Sequence, residues 1–459
     1  MLLYTANWVI PVTRPPIPDG AVGVADGRIV FVGRRDEAPA GARTIALGNS
    51  FLLPGLVNAH THLELTVMRG YLEDGPFRPW LLRLTAARSA ALNDEALVAS
   101  ARLGIAEGLL AGITTYADTS STGAAFTALH EMGVRGISYQ EVFGPHPGQC
   151  EEAMTELRQR TSLLASRRSP LVTLGISPHA PYTVSDALYR AAGRYATEQA
   201  LPVAVHIAES PAERALVAEA TGPFADGWRD RGIPVGLRAR SPVQLLEATG
   251  ILALRPLLIH CVQIDDTDIA MIVAAKAPVV HNPASNAKLG HGIAPLRDLI
   301  AAGAPVALGT DSVASNNRMD LLDEARIAVL FSRARGAEIS ASKALQLATI
   351  GGARALGWER EIGSLEVGKA ADLAAFPVDE ARDEPIYDAV TAVVFGGGGR
   401  RASMVCVGGV ELVRDGGLLA TLDGDRDSRR AAAERLRVFA VEGETPRGLD
   451  FSGVRLASD

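Results

Sequence analysis

After Pro54-Gly55 the chain alternates short, mostly apolar runs with segments of helical period, and it does so eight times. The runs are Leu56 to Leu63, Ile113 to Thr119, Arg135 to Phe143, Leu171 to Ser177, Pro202 to Ile207, Leu257 to Val262, Pro278 to Asn282 and Pro305 to Asp311. A strand covered by helices on both sheet faces is apolar along its length, so this alternation marks βα units winding a parallel sheet. Eight such units close a barrel. Helices are predicted between them, including Asp94 to Leu110 with Asn93 as cap, Ser185 to Gln199 and Pro295 to Ala302.

The two ends read differently. Trp8 to Ile10, Ala21 to Ala25 and Arg28 to Val32, with an Asp26-Gly27 turn, predict a small β region before Pro54. Strands are predicted again at Leu373 to Phe376, Ala392 to Phe395, Met404 to Val407 and Val410 to Arg414. The expected fold class is α/β: a (β/α)8 TIM barrel over 55–361, with a small discontinuous β-sandwich domain assembled from 1–54 and 362–424. Residues 425–459 are expected to form a C-terminal helix and tail, the helix exposed and charged through Arg429, Arg430, Glu434, Arg435 and Arg437. Roughly fifty residues separate the fifth and sixth runs, from Ser210 to Pro256, a length that suits a lid, a pocket wall or a dimer contact.

At 459 residues, 47% hydrophobic and 21% charged, the chain can bury a large core. A net charge of −7 without a basic, aromatic-interleaved stripe gives no argument for a nucleic-acid surface, and no uncharged apolar run reaches the roughly 18 residues that span a bilayer. The first residues lack the basic start of a signal peptide. Cys150, Cys261 and Cys406 are odd in number and far apart, so the expected setting is a reducing cytoplasm.

In a parallel barrel the chemistry sits at the C-terminal ends of the strands. The first run ends in His60-Thr61-His62, and alternation along a strand puts both imidazoles on one face. The fifth run ends in His206 and the eighth in Asp311. Three imidazoles and one carboxylate suit one divalent ion, Zn²⁺ with Fe²⁺ as the alternative. Glu209, three residues after His206, is placed to carry protons, and His260, ending the sixth run, to steady an oxyanion. His179 is a candidate substrate contact, and His281 a support for the pocket wall. His130 and His146 read as surface residues, His291 is undecided, and Cys261 should point into packing.

The stretches Pro54 to His62, Ser177 to Tyr182, His206-Ile207-Ala208-Glu209, His260-Cys261-Val262, His281 to Leu289 with Gly292 to Pro295, and Leu308 to Ser312 together resemble the amidohydrolase superfamily. The likeness extends through Gly363 to Leu373, and within the superfamily it is to the cytosine-deaminase-like and adenosine-type deaminases. The resemblance implies His60, His62, His206 and Asp311 as metal ligands, Glu209 as proton shuttle and His260 as stabiliser of the hydroxide; Asp311 is also expected to act in catalysis, and Trp80, Arg88, Glu141, His179 and Ser312 are the candidate substrate contacts. Some relatives bridge two metals through a lysine on the fourth strand. This chain has no lysine before Lys276, so one ion is expected.

Pro178 to Tyr182 and Asn282 to Gly290 resemble deaminases of S-adenosylhomocysteine and methylthioadenosine, whereas Glu141 to Pro145 and Thr221 to Phe224 resemble aminofutalosine deaminases. S-adenosylhomocysteine-type enzymes hold the ribose hydroxyls with a glutamate shortly after a Trp, and no glutamate follows Trp80 here. The expected function is metal-dependent hydrolytic deamination of an aminopurine-type ring by a cytoplasmic, homo-oligomeric enzyme, a dimer, acting on a small molecule. The alternatives are another reaction of the superfamily, such as guanine, cytosine or pterin deamination, triazine hydrolysis or cyclic amide opening, and, more remotely, an inactive scaffold.

Overall fold

The computed structural model describes residues 1–73, 75–167 and 169–442. Five strands open the chain: β1 (Leu2–Val9), β2 (Ile17–Ala25), β3 (Arg28–Arg34), β4 (Arg43–Ala46) and β5 (Ser50–Pro54). Eight parallel strands follow: β6 (Leu56–Thr61), β7 (Ile113–Ser120), β8 (Arg135–Val142), β9 (Val172–Pro178), β10 (Ala204–Ile207), β11 (Leu257–His260), β12 (Val279–His281) and β13 (Val306–Leu308). β14 (Leu373–Pro377), β15 (Met404–Val407), β16 (Val410–Arg414) and β17 (Gly417–Leu418) complete the set.

The parallel strands are hydrogen-bonded as two four-stranded sheets, β6 to β9 and β10 to β13. β6, β7, β10, β11, β12 and β13 are buried at every residue, which is why their sequences show no alternation. At one seam Ile176 bridges Val203 in parallel, and at the other the Asp311 N–H donates to the His60 carbonyl at 3.0 Å. This second approach requires glycine at 309, because a Cβ there would lie 2.5 Å from Asn282 Oδ1 and 2.8 Å from the His60 nitrogen. The strand order and both seams are what eight βα units predict.

The terminal strands form one nine-stranded sheet in the order β17-β16-β15-β14-β5-β1-β2-β3, with β4 paired to β1 beside β5, rather than two separately bonded layers. β5 runs directly into β6, so the sheet built from both chain ends is continuous with the first parallel strand. Asp372, just before β14, accepts from Arg135 of β8 at 2.9 and 3.1 Å and from the Gly408 N–H at 2.7 Å. That buried carboxylate ties the terminal sheet to the parallel one.

Ala392 to Phe395, expected as a strand, lies in a helix, Ala389–Gly396. Asp388 caps it by accepting from the Thr391 N–H, and Ala389, Val393 and Val394 are buried at helical spacing. A short apolar run carries no period that separates the two structures, and the cap decided it. The helices expected from Asn93 and Ser185 are present, with both side chains accepting at their N-termini. Of the segment 425–459, Arg426–Glu442 is helical, and 443–459 lie outside the described residues. This charged helix is docked on the protein surface through one face. Ala432 and Leu436 are buried in one cluster with Trp80 and Leu84, and Arg435 donates to the Ala91 carbonyl at 2.7 Å.

Replacing Asp372 with Ala leaves the largely buried Arg135 guanidinium unpaired. Urea unfolding should show a loss of about 3 to 5 kcal/mol, the scale for breaking a buried pair from one side. A loss below about 1 kcal/mol would remove this tie from the account of the fold.

Candidate active site

The expected groups converge at the C-terminal ends of the parallel strands. His60 lies on β6 itself and His62 one residue past it. His60 Nε2 is 3.2 Å and His62 Nε2 3.5 Å from Asp311 Oδ1, and the His62 and His206 Nε2 atoms are 3.2 Å apart. Ligand atoms of His60, His62 and His206 all lie within 4.8 Å of one another, as do those of His60, His260 and Asp311.

Local backbone strain sets these directions. Ala208, His260, Cys261 and Asp311 have φ of 50°, 79°, 49° and 57°, a region that non-glycine residues rarely occupy, and all four follow or end parallel strands. Asp311 lies three residues beyond β13, so this left-handed turn, not strand pleating, aims its carboxylate. Its Oδ2 accepts from Ser285 at 2.5 Å and from Ser315 at 3.1 Å, while Oδ1 faces the imidazoles.

The donor set fits a divalent metal ion. Burial lowers the pKa of His60 to about 4 and also lowers those of His62 and His206, so the imidazoles are neutral lone-pair donors at neutral pH. Burial pushes Asp311 up, but the hydrogen bond and charge interaction with His60 outweigh it and hold the carboxyl well below its usual range. Three neutral imidazoles, with a carboxylate against two of them, are a set that could hold a single ion and leave a position open. The Nδ1 atoms of His60 and His206 have no hydrogen-bond partner, whereas His62 Nδ1 lies 3.2 Å from the Thr119 hydroxyl.

Glu209 stands beside this group. Its Oε1 is 3.5 Å from His260 Nε2 and 3.2 Å from His291 Nε2, and the Tyr182 hydroxyl donates to its Oε2 at 3.3 Å. Burial raises its pKa, but His260 and His291 prevail and bring it to about 2, so the carboxyl is ionised. His260 is oriented from behind by Asn286 Oδ1 at 2.9 Å from its Nδ1.

A pocket opens over these residues. Trp80, Arg88, Glu141, His179 and Ser312 all line it, together with Glu64, Phe77, Leu81 and Leu84. The Trp80 indole N–H is used by the Leu72 carbonyl at 3.1 Å, which leaves the ring as an apolar wall. Arg88 donates to Glu64 Oε1 at 2.6 Å and to Ser121 at 3.1 Å. The Ser312 hydroxyl accepts from the Ala314 N–H at 3.1 Å and so caps a short turn.

His281 is buried but off the wall, and its backbone carbonyl accepts from Gly309. Cys261 packs into the core as expected, and His130 and His146 are exposed. The long connection holds three helices, Pro211–Glu219, Gly222–Asp230 and Pro242–Ala248. It backs the pocket: Phe224 stacks on Tyr182 at 4.3 Å, and the Trp228 indole donates to the Tyr182 carbonyl at 3.0 Å.

Sequence reasoning missed Glu213. This carboxylate accepts from the Ala208 and Glu209 N–H groups at 2.7 and 2.9 Å and fixes the turn that carries Glu209. The available signal was its place in the first turn after the Ser210 cap. His291, undecided from the sequence on its Gly-flanked loop near the mouth, follows the helix Pro283–Lys288 and faces Glu209.

Comparisons with known proteins identify the family. Residues 51–412 match the amidohydrolase family. A 5-methylthioadenosine/S-adenosylhomocysteine deaminase of Nitratidesulfovibrio vulgaris is 32% identical over 437 residues, covering 92% of this chain and 95% of that protein. An adenosine deaminase of Xanthomonas campestris, solved with bound zinc, superposes with a TM-score of 0.84 at 28% identity and covers 95% of this chain and 98% of its own. Atrazine chlorohydrolase of Arthrobacter aurescens, complexed with zinc, gives 0.80 at 25% identity over 94% of this chain and all (100%) of its own. A matched segment running from β5 into β16, which contains every residue of the His/Asp cluster, establishes that the chain belongs to the amidohydrolase family.

Proposed function

We propose that this enzyme hydrolytically deaminates an adenosine-type nucleoside, releasing ammonia. The carrying observation is the grouping of His60, His62 and His206 with Asp311 against His60 and His62, and ionised Glu209 and His260 on the same pocket wall. The names of the N. vulgaris and X. campestris relatives support the choice of adenine nucleosides.

A divalent ion bound by the four ligands, zinc in our reading, would supply the Lewis acidity that makes a water reactive near neutral pH. The protein's own groups then move the protons. Glu209, ionised in the resting site, takes one proton from the attacking water and delivers it to the ring nitrogen beside the amine-bearing carbon. A carbon–oxygen bond forms as that ring carbon becomes tetrahedral. Asp311 takes the second proton of the water, and its transfer to the amine lets the carbon–nitrogen bond break, leaving a keto ring and ammonia. His260, held by Asn286, hydrogen-bonds the developing oxyanion. Apolar Phe77, Leu81 and Leu84 keep bulk water from the ring.

We also read the chain as a metal-dependent barrel over 55–361 joined to a composite β domain from 1–54 and 362–424. Three unpaired cysteines support a cytoplasmic location.

Three outcomes check the reading. Chelation should abolish ammonia release from adenosine, 5-methylthioadenosine or S-adenosylhomocysteine, and added zinc should restore it; chelator-insensitive release would contradict the metal's role. Glu209→Gln should lower kcat by about 10² to 10⁴ without changing metal content, and near-normal turnover would remove Glu209 from proton transfer. Chloride released from a chlorotriazine, with no ammonia from any nucleoside, would move the assignment to the dehalogenating branch.

A further inference from the structure

The Glu209 carboxyl is held from both sides. Tyr182 donates to its Oε2 at 3.3 Å, and its Oε1 faces two imidazole nitrogens, His260 Nε2 at 3.5 Å and His291 Nε2 at 3.2 Å. The two histidines differ in what else they meet. His260 lines the pocket and also stands with His60 and Asp311, so it serves the metal floor as well. His291 is 3% exposed and stands behind the pocket lining, and its Nε2 makes no hydrogen bond elsewhere. A buried imidazole nitrogen that faces one carboxyl oxygen and nothing else is satisfied only by carrying the hydrogen toward it.

The chain takes care to put it there. His291 follows the helix Pro283–Lys288 on a loop turned by Gly290 and Gly292, whose φ values are 71° and 105°. Its backbone N–H donates to the Asn286 carbonyl at 2.9 Å, and its own carbonyl accepts from Gln263 Nε2 at 2.7 Å. Asn286 is the residue whose side chain orients His260, so one asparagine sets both imidazoles that flank Glu209. The Phe77 ring stands edge-on to His291 with centroids 4.5 Å apart. Phe77 begins the wall helix Phe77–Ala91 and lines the pocket, which wedges His291 between the apolar wall and the proton carrier.

A glutamate has three rotatable side-chain bonds, and a carboxyl that must meet first a water and then a ring nitrogen has to be aimed; misplacement by about 1 Å is enough to cost about 10²-fold in rate. We propose that His291 is a positioning residue: its imidazole holds Glu209 Oε1 in the direction that proton transfer requires, and Phe77 holds the imidazole. This rests on the deaminase reading above, with Glu209 as the proton carrier.

The test measures ammonia release from the best of adenosine, 5-methylthioadenosine and S-adenosylhomocysteine, with metal content determined for every variant. His291→Leu fills the space without a donor, and His291→Gln keeps an N–H that reaches the same oxygen. His291→Leu should lower kcat by about 10- to 100-fold while KM stays within about 3-fold, the split expected when direction in the reacting complex is lost and binding is kept. His291→Gln should recover most of that loss. In a Glu209→Gln background, adding His291→Leu should cost less than about 3-fold more, because the carboxylate it would misplace is already gone. Metal content should not change, and His291→Ala replaces the Leu variant if the latter does not fold.

A kcat within about 3-fold of wild type in His291→Leu would overturn the inference and leave the deaminase reading intact. So would an equal loss in the Leu and Gln variants, or a loss as large in the Glu209→Gln background, since either marks a role in packing alone. Metal lost on substitution would assign His291 to support of the ion and also overturn it. No ammonia from any adenine nucleoside with the wild type would overturn the deaminase reading itself.

Discussion

Four lone-pair groups directed at one point inside a buried pocket are the constraint on which the rest of the structure turns. His60, His62, His206 and Asp311 crowd their nitrogen and oxygen lone pairs together, and burial denies them water. A positive ion among them would satisfy those lone pairs, and the fold holds the groups in place by rigid support from behind. That support is visible in the serines behind Asp311, the asparagine behind His260 and the glutamate under the 208–209 turn.

The same constraint explains where the backbone is strained. Parallel strands deliver side chains only to the ends of the sheet, and a strand alone cannot turn Asp311 or His260 across the opening. The left-handed residues at 208, 260, 261 and 311 make that turn, and Gly309 lets the 309–311 segment approach β6 closely enough for Asp311 to meet His60. The burial of β6 and β10 to β13 on both faces provides the rigidity that offsets this strain.

Much of this was legible in the sequence because metal chemistry needs particular residue types at particular strand ends. His60-x-His62, His206 and Asp311 announced themselves by type and by position after apolar runs, and the eight strands by the runs themselves. Less legible were contacts between segments distant in the chain. Arg88 meets Glu64 across 24 residues, and His291 reaches Glu209 from a loop after a helix, and neither pairing leaves a trace in local periodicity. The helix at 389–396 was misread for a related reason: its eight residues are mostly apolar, so only the Asp388 cap distinguished it from a strand.

The pocket combines an electrostatic floor with an apolar wall supplied by the helix Phe77–Ala91, which is itself held by the C-terminal helix. The central claim is the single ion on that floor, and anomalous diffraction at the zinc edge from crystals of the zinc-loaded enzyme tests it most directly. One strong peak is expected per chain, within about 2.0 to 2.2 Å of imidazole nitrogens of His60, His62 and His206 and an oxygen of Asp311. A map with no peak there, or with the ion held by other residues, would contradict the account.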